Sequence, residues 1–241
     1  MQDHPQELIE HIAELRLRLL RSLIAALVGM ILALFFTEPV LDYLLASAEQ
    51  VQVIAVSPLA PTVVFFKVAL ILGLVLAFPY IFYQIYGFLA PGLFPHERRL
   101  LLLGLPGSLL LFALGVAFAL WVLIPLSLNF LRGFLPSVVT PTYTLDEYLS
   151  FVTTLMVWMG VVFQIPLVMA LLAHFGLVRP EQLRRWRKGV IFGAAVLAAV
   201  ITPTVDPFTM TVVTLPFLLL YECGLVLMRL VTRRGEKRPP A

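Results

Sequence analysis

Long apolar runs separated by short polar breaks fill most of this chain, and the spacing of the breaks predicts helices that cross a bilayer. Six apolar segments stand out, roughly Leu17–Phe36, Pro61–Tyr86, Leu100–Ile124, Tyr148–Ala173, Val190–Ile201 and Phe208–Leu227. A hydrocarbon core about 30 Å thick takes about 20 residues of helix at roughly 1.5 Å each. The fifth segment falls short, because the roughly 14 residues between Lys188 and Pro203 reach only about 21 Å. Either the bilayer thins there or the segment is re-entrant, and the parity of charge, with five basic residues before it and five after the sixth segment, favours a span with thinning. Ahead of the first segment, Leu8, Ile12, Leu15 and Leu19 recur on one helical face and Glu7, His11, Glu14, Arg18 and Arg21 on the other. This predicts an amphipathic helix at the membrane surface, begun by Asp3 as N-cap, Pro5 and Gln6.

Composition excludes a soluble domain. Of 241 residues, 61% are hydrophobic and 13% charged, with a mean hydropathy of +0.98, whereas a soluble surface needs about 25% charge. Fifteen of the seventeen Lys and Arg fall beside the first segment, in the second and fourth gaps, or in the tail. Only Lys67 and Arg132 lie on the other side, whose loops carry Glu38, Asp42, Glu49, Asp146, Glu147 and Asp206. The positive-inside rule then places both termini in the cytoplasm. The expected fold is an all-α integral membrane protein with six transmembrane helices, the fifth short. Pro79, Pro106, Pro166 and Pro216 lie inside apolar runs and predict kinks. A single membrane domain follows, with 1–16 a cytoplasmic amphipathic helix, 17–228 the bundle and 229–241 a basic cytoplasmic tail. Ala46-Ser47-Ala48 has the look of a processing site, but an acidic start and a long apolar core argue that the first segment is retained. The lack of transit-peptide composition favours a prokaryotic plasma (inner) membrane.

Chemistry-bearing residues are few. The break Phe88–Arg99 (FLAPGLFPHERR) holds Pro91, Gly92, Pro95, Glu97, Arg98 and Arg99 and must face water. Gln164 lies mid-segment, where a polar side chain needs a partner, so it is either glue within the bundle or a contact for another subunit. Glu222 is near enough to the cytoplasmic end of the sixth segment to reach a headgroup or a basic loop. Glu14 and Arg18 stand at i,i+4 in the favourable order, so a simple helix-surface pair is the ordinary reading of Glu14. The one cysteine, Cys223, excludes an internal disulfide. No phosphate loop, metal-ligand set or serine–histidine pair at matching depth is present, so neither enzyme, metal nor cofactor is expected.

Four stretches together carry a specific resemblance. His11-Ile-Ala-Glu14-Leu-Arg16-Leu-Arg18, Phe88-Leu-Ala-Pro91-Gly92-Leu-Phe-Pro-His-Glu97-Arg98-Arg99, Tyr148-Leu-Ser-Phe151 and Thr202-Pro203 with Asp206 resemble the TatC family, the multispanning receptors of twin-arginine protein translocation. The resemblance runs from about His11 to Leu230. It implies a core subunit that binds twin-arginine signal peptides and works with TatA- and TatB-type single-span subunits to export folded proteins on the proton-motive force. A homo-oligomer within that complex and contact with membrane lipid are implied as well, and no nucleic acid.

Carried over by position, the resemblance makes Glu14 and Glu97 the carboxylates that meet the paired arginines, with Phe88 and Arg16 in the same patch. Pro91, Gly92 and Arg98 shape the loop, and Asp206 belongs to the outer loop. Carboxylates suit guanidinium groups because the contact can be two-pronged. Two departures stand out: Gln164 occupies a position where many members carry glutamate, which leaves hydrogen bonding but not titration, and Met210 stands where some have glutamine. A secondary transporter is the alternative class and predicts inverted repeats about a midplane site, which the sequence lacks; a structural scaffold is the third.

Overall fold

Nearly every described residue is helical, as the apolar runs predict. The computed structural model describes residues 4–46, 52–89, 95–133, 142–202 and 206–236, with the side chains of 4–11, 52, 89, 95–104 and 233–236 outside the description. In chain order the elements are α1 (His4–Ala46), β1 (Gln52–Ile54), α2 (Ala60–Leu89), α3 (Pro95–Phe118), a π-helical turn (Ala119–Leu123), α4 (Ile124–Gly133), β2 (Thr142–Thr144), α5 (Leu145–Val162), α6 (Ile165–His174), α7 (Pro180–Arg185), α8 (Arg187–Ile201) and α9 (Pro207–Glu236). They fall into two compact units, one of Met1–Leu109 with Thr144–Asp146, the other of Leu110–Tyr143 with Glu147–Ala241.

The first unit is built on α1 and α2, packed as an antiparallel hairpin. Helix α1 runs unbroken through the expected boundary at residue 17, and Pro39 lies inside it. Its 43 residues extend roughly 65 Å, twice the hydrocarbon thickness, so part of it stands outside the apolar layer. The two helices meet at glycines: a Cβ placed on Gly73 would lie 2.3 Å from Met30 N and 2.4 Å from Met30 Cα, and one on Gly29 would lie 2.4 Å from Gly73 O. Small residues let backbones approach and gain dispersion contacts where lipid supplies no hydrophobic driving force. Ala33, Val64, Val68 and Ala69 are buried beside this crossing, while Phe35, Phe36, Leu23 and Ile31 face outward. An apolar exterior is the pattern of a helix solvated by lipid. Lys67 Nζ donates to Asp146 Oδ1 at 3.0 Å, joining two residues that the charge pattern assigns to one face.

In the second unit α5 is the most enclosed helix, with Leu149, Val152, Leu155 and Met159 almost fully buried. Gly115 and Gly160 admit the chain closely, a Cβ on the former lying 2.4 Å from Met159 O and one on the latter 2.5 Å from the Phe112 ring. Met169, Ala173, Tyr221, Leu225 and Met228 close a core between α6 and α9. Tyr221 Oη donates to Leu183 O at 2.6 Å, and Glu222 accepts from Arg187 Nη2, the basic stretch that the sequence pointed to. Phe130 stacks on Phe208 with centroids 4.0 Å apart, fixing the start of α9.

Two segments differ from the sequence reading. The third does not end at Ile124: its apolar helix continues to Gly133, because a π turn absorbs Pro125. There Ile124 N donates to Ala119 O, a wide turn that relieves the clash and missing donor a proline brings. The fourth is two helices, not one kinked helix. Phe163 and Gln164 form a turn, Gln164 is the N-cap residue of α6, and Pro166 stands in the first turn of α6, where a missing N–H does no harm. Pro79, Pro106 and Pro216 do lie inside helices. Helix α8, with 15 residues, reaches about 22 Å and is short, as expected. Among the described residues, five helical stretches are long and apolar enough to cross a membrane: Ile12–Ala46, Ala60–Phe88, Leu105–Gly133, Leu145–His174 and Pro207–Thr232.

Candidate functional site

Glu14 and Arg18 sit one turn apart on α1, which stacks their side chains on one face. Arg18 Nε and Nη2 both donate to Glu14 Oε1, at 2.9 and 2.6 Å. The pair is not a free surface bridge, since the two side chains retain only 20% and 30% of their exposure. Arg18 also reaches α2, where Nη1 lies 3.3 Å from Gln84 Oε1 and 3.5 Å from Gln84 O. Gly87 makes the room: a Cβ there would stand 2.1 Å from Arg18 Nη1. The hairpin therefore ends in a cross-helix clamp, with a guanidinium anchored to α2 and orienting a carboxylate on α1.

Phe88 follows in the last turn of α2, half-buried, and at i+4 from Gln84 it shares the face that meets Arg18. Arg16 lies two positions from both Glu14 and Arg18, hence round the helix from both, and is exposed. Glu97 and Arg98 begin α3, but their side chains are outside the described residues, and Pro91 and Gly92 lie outside them altogether. The structure thus brings Glu14 and Phe88 to one end of the hairpin and leaves Arg16 off the clamp.

Gln84 and Gly87 escaped the sequence reading. A lone glutamine within a 26-residue apolar stretch was a signal of the same kind as Gln164, and Gly87 three residues on marks room beside it. Gln164 is 4% exposed; its N–H donates to Val161 O at 3.0 Å and its carbonyl accepts from Val168 N at 2.9 Å. It stands in a helix break rather than along a helix. Asp206 caps α9, with Oδ1 accepting from Thr209 N at 2.7 Å and its carbonyl from Met210 N at 3.1 Å. Asp-Pro at the head of an apolar run is an N-terminal signature that could have announced this.

Chemically, the clamp is a carboxylate paired with a guanidinium, and no nucleophile or base–orienter pair stands beside it among the described residues. The fold and this site define a multi-pass helical membrane protein with a guanidinium-binding carboxylate at one hairpin end. The family model "Sec-independent protein translocase protein (TatC)" matches residues 10–216, and the chain belongs to the TatC family. It is 40% identical over 236 residues to the Sec-independent protein translocase protein TatC of Aquifex aeolicus, covering 95% of this chain and 98% of that one. Identity to the Escherichia coli K12 protein of the same name is 36% over 240 residues, covering 97% and 92%. A crystal structure of the twin-arginine translocase receptor TatC superposes with a TM-score of 0.84 at 40% identity, over 92% of this chain and 100% of that one.

Proposed function

We propose that this chain is the signal-peptide receptor and core subunit of a twin-arginine translocase, exporting folded proteins across a prokaryotic inner membrane on the proton-motive force. The observation that carries the site is the Arg18–Glu14 clamp. A carboxylate already gripping a guanidinium is oriented and partly desolvated for the same chemistry with an incoming arginine. Arg18 is then a positioning residue, and the peptide arginine competes for or shares Glu14. Glu97 and Phe88 complete the patch, with Arg16 beside it round the helix, and Pro91 and Gly92 shape the connection that leads into the first turns of α3, where Glu97 and Arg98 stand. Two acids brought together repel, and a paired-arginine ligand relieves that repulsion where a single cation cannot. Exposed pairs are worth only about 0.2 to 1 kcal/mol each, so the apolar part of the signal must also pack on the bundle.

Topology follows the same reading. Helix α8 serves as the short fifth of six spans, both termini and the Phe88–Arg99 stretch face the cytoplasm, and the Lys67–Asp146 pair marks the opposite face. TatA- and TatB-type subunits dock on the bundle, several copies of this chain assemble, Gln164 supports that docking surface from inside the bundle as an uncharged hydrogen-bonding group, and Asp206 shapes the outer loop. Binding of a twin-arginine peptide to the purified protein, against its twin-lysine version, tests the receptor role. Glu14→Ala and Glu97→Ala each weaken the arginine peptide and change the lysine peptide less. Zero coupling for both acids in double-mutant cycles would move recognition elsewhere.

A further inference from the structure

The opposite end of the chain holds a cluster that the receptor reading does not use. Arg179, Arg184, Arg185 and Arg229, with Glu181 and Thr232, line a cavity of about 1010 Å³ in the second unit. All four arginines are exposed. Their neighbour Arg187 is neutralised by Glu222, but Arg184, Arg185 and Arg229 have no ion-pair partner among the described residues. Four guanidinium groups against one carboxylate leave a strong positive field in a concave site, and like charges so held are stabilised by an anion that several can share.

The height of the cavity identifies the anion. Two membrane-crossing helices end here, at His174 and at Thr232, so Arg179 stands just past the first and Arg229 in the last turn of the second. On the same segment Leu177 and Trp186 are 69% and 70% exposed, apolar and aromatic side chains turned outward, as at a bilayer interface. Guanidinium groups at the ends of apolar helices, flanked by an interfacial tryptophan, meet the plane of lipid phosphates. We propose that this cavity is a binding site for the headgroup of an anionic phospholipid of the phosphatidylglycerol class, whose phosphodiester is shared by arginines from α7 and α9 while its acyl chains lie along the Leu177–Trp186 surface. The site is independent of signal-peptide recognition.

The test is native mass spectrometry of the full-length protein in detergent, titrated in parallel with phosphatidylglycerol, phosphatidylcholine, inorganic phosphate and an acidic decapeptide. Phosphatidylglycerol is retained at least roughly tenfold more tightly than phosphatidylcholine, and Arg184→Gln/Arg185→Gln/Arg229→Gln removes that preference, whereas Lys67→Gln keeps it. Arg229→Gln alone gives an intermediate loss if the triple variant does not fold. Glu181→Gln, which removes the one acid among the described lining residues, tightens retention. Unchanged phosphatidylglycerol retention in folded arginine variants overturns the proposal. So does displacement of the lipid by millimolar inorganic phosphate, which would mark a free-anion site, or preferential binding of the acidic peptide, which would mark a protein-docking surface.

Discussion

Gly73→Ala tests the hairpin that carries the clamp. A methyl on Gly73 meets Met30 N and Cα at 2.3 and 2.4 Å, against an ordinary contact of about 3.5 Å. Those atoms are backbone, so no side chain can swing away and the two helices must separate by roughly 1 Å. Overpacking of this kind costs about 1 to 3 kcal/mol, while replacing glycine by alanine inside a helix returns up to about 1 kcal/mol. Gly107→Ala separates the two effects, because nothing lies within 4 Å of a Cβ there. Unfolding of the purified protein in mixed detergent micelles, followed by circular dichroism, should place Gly73→Ala about 2 kcal/mol below Gly107→Ala. Gly29→Ala addresses the same contact, so adding it to Gly73→Ala costs less than its single effect. The separation also loosens the clamp, since the Arg18 Nη1 to Gln84 Oε1 distance is already 3.3 Å and has little reserve. A Gly73→Ala protein as stable as Gly107→Ala would refute the close-crossing argument.

Other outcomes are measurable in the same preparations. Arg18→Gln releases Glu14 from its oriented position, lowering stability by up to about 1 kcal/mol and weakening a twin-arginine peptide in a fluorescence titration; unchanged affinity would exclude a positioning role. Asp206→Ala removes the α9 cap and costs about 0.5 to 2 kcal/mol in thermal unfolding, whereas Asp206→Asn, whose side-chain oxygen caps as well, avoids most of that loss. Gln164→Leu weakens assembly with TatA- and TatB-type subunits by about 0.6 to 1.7 kcal/mol, and Gln164→Glu retains export; equal co-purification and export by Gln164→Leu would make the residue filler. Single cysteines at Ala48 and Arg99 in a Cys223→Ser background label from opposite sides with an impermeant reagent, and labelling of both from one side would refute the six-span arrangement.

How much of this was legible in the chain depended on the range of each interaction. Apolar runs and the short α8 could be read directly, because bilayer thickness converts residue counts into spans. Glu14 with Arg18 was legible as a one-turn pair. The other half of the clamp was not, since Gln84 is 66 residues from Arg18 and a polar side chain in an apolar run does not announce which helix it faces. Prolines were visible but ambiguous. Pro166 is equally compatible with a kink inside a helix or with the first turn of a new one, and only the packing of Gln164 in the turn decides between them. Pro125 reads as a stop in sequence, whereas a π turn upstream lets the helix continue. The glycines at 29 and 73 are unremarkable one at a time and acquire meaning only as a pair.

That pair also sets a rule of counting. Eleven residues separate Arg18 from Gly29 on one arm of the hairpin and eleven separate Gly73 from Gln84 on the other, equal lengths of roughly 16 Å. Arms of equal length bring the clamp residues level. An inserted residue in either arm turns everything beyond it by about 100° and advances it by about 1.5 Å, swinging Glu14 and Arg18 away from Gln84 even if every side chain is kept. Seven inserted residues would restore the angle but leave one arm about 10 Å too long. Lipid-facing positions such as Leu23 and Ile31 can therefore exchange one apolar side chain for another, while the lengths of the two arms cannot drift.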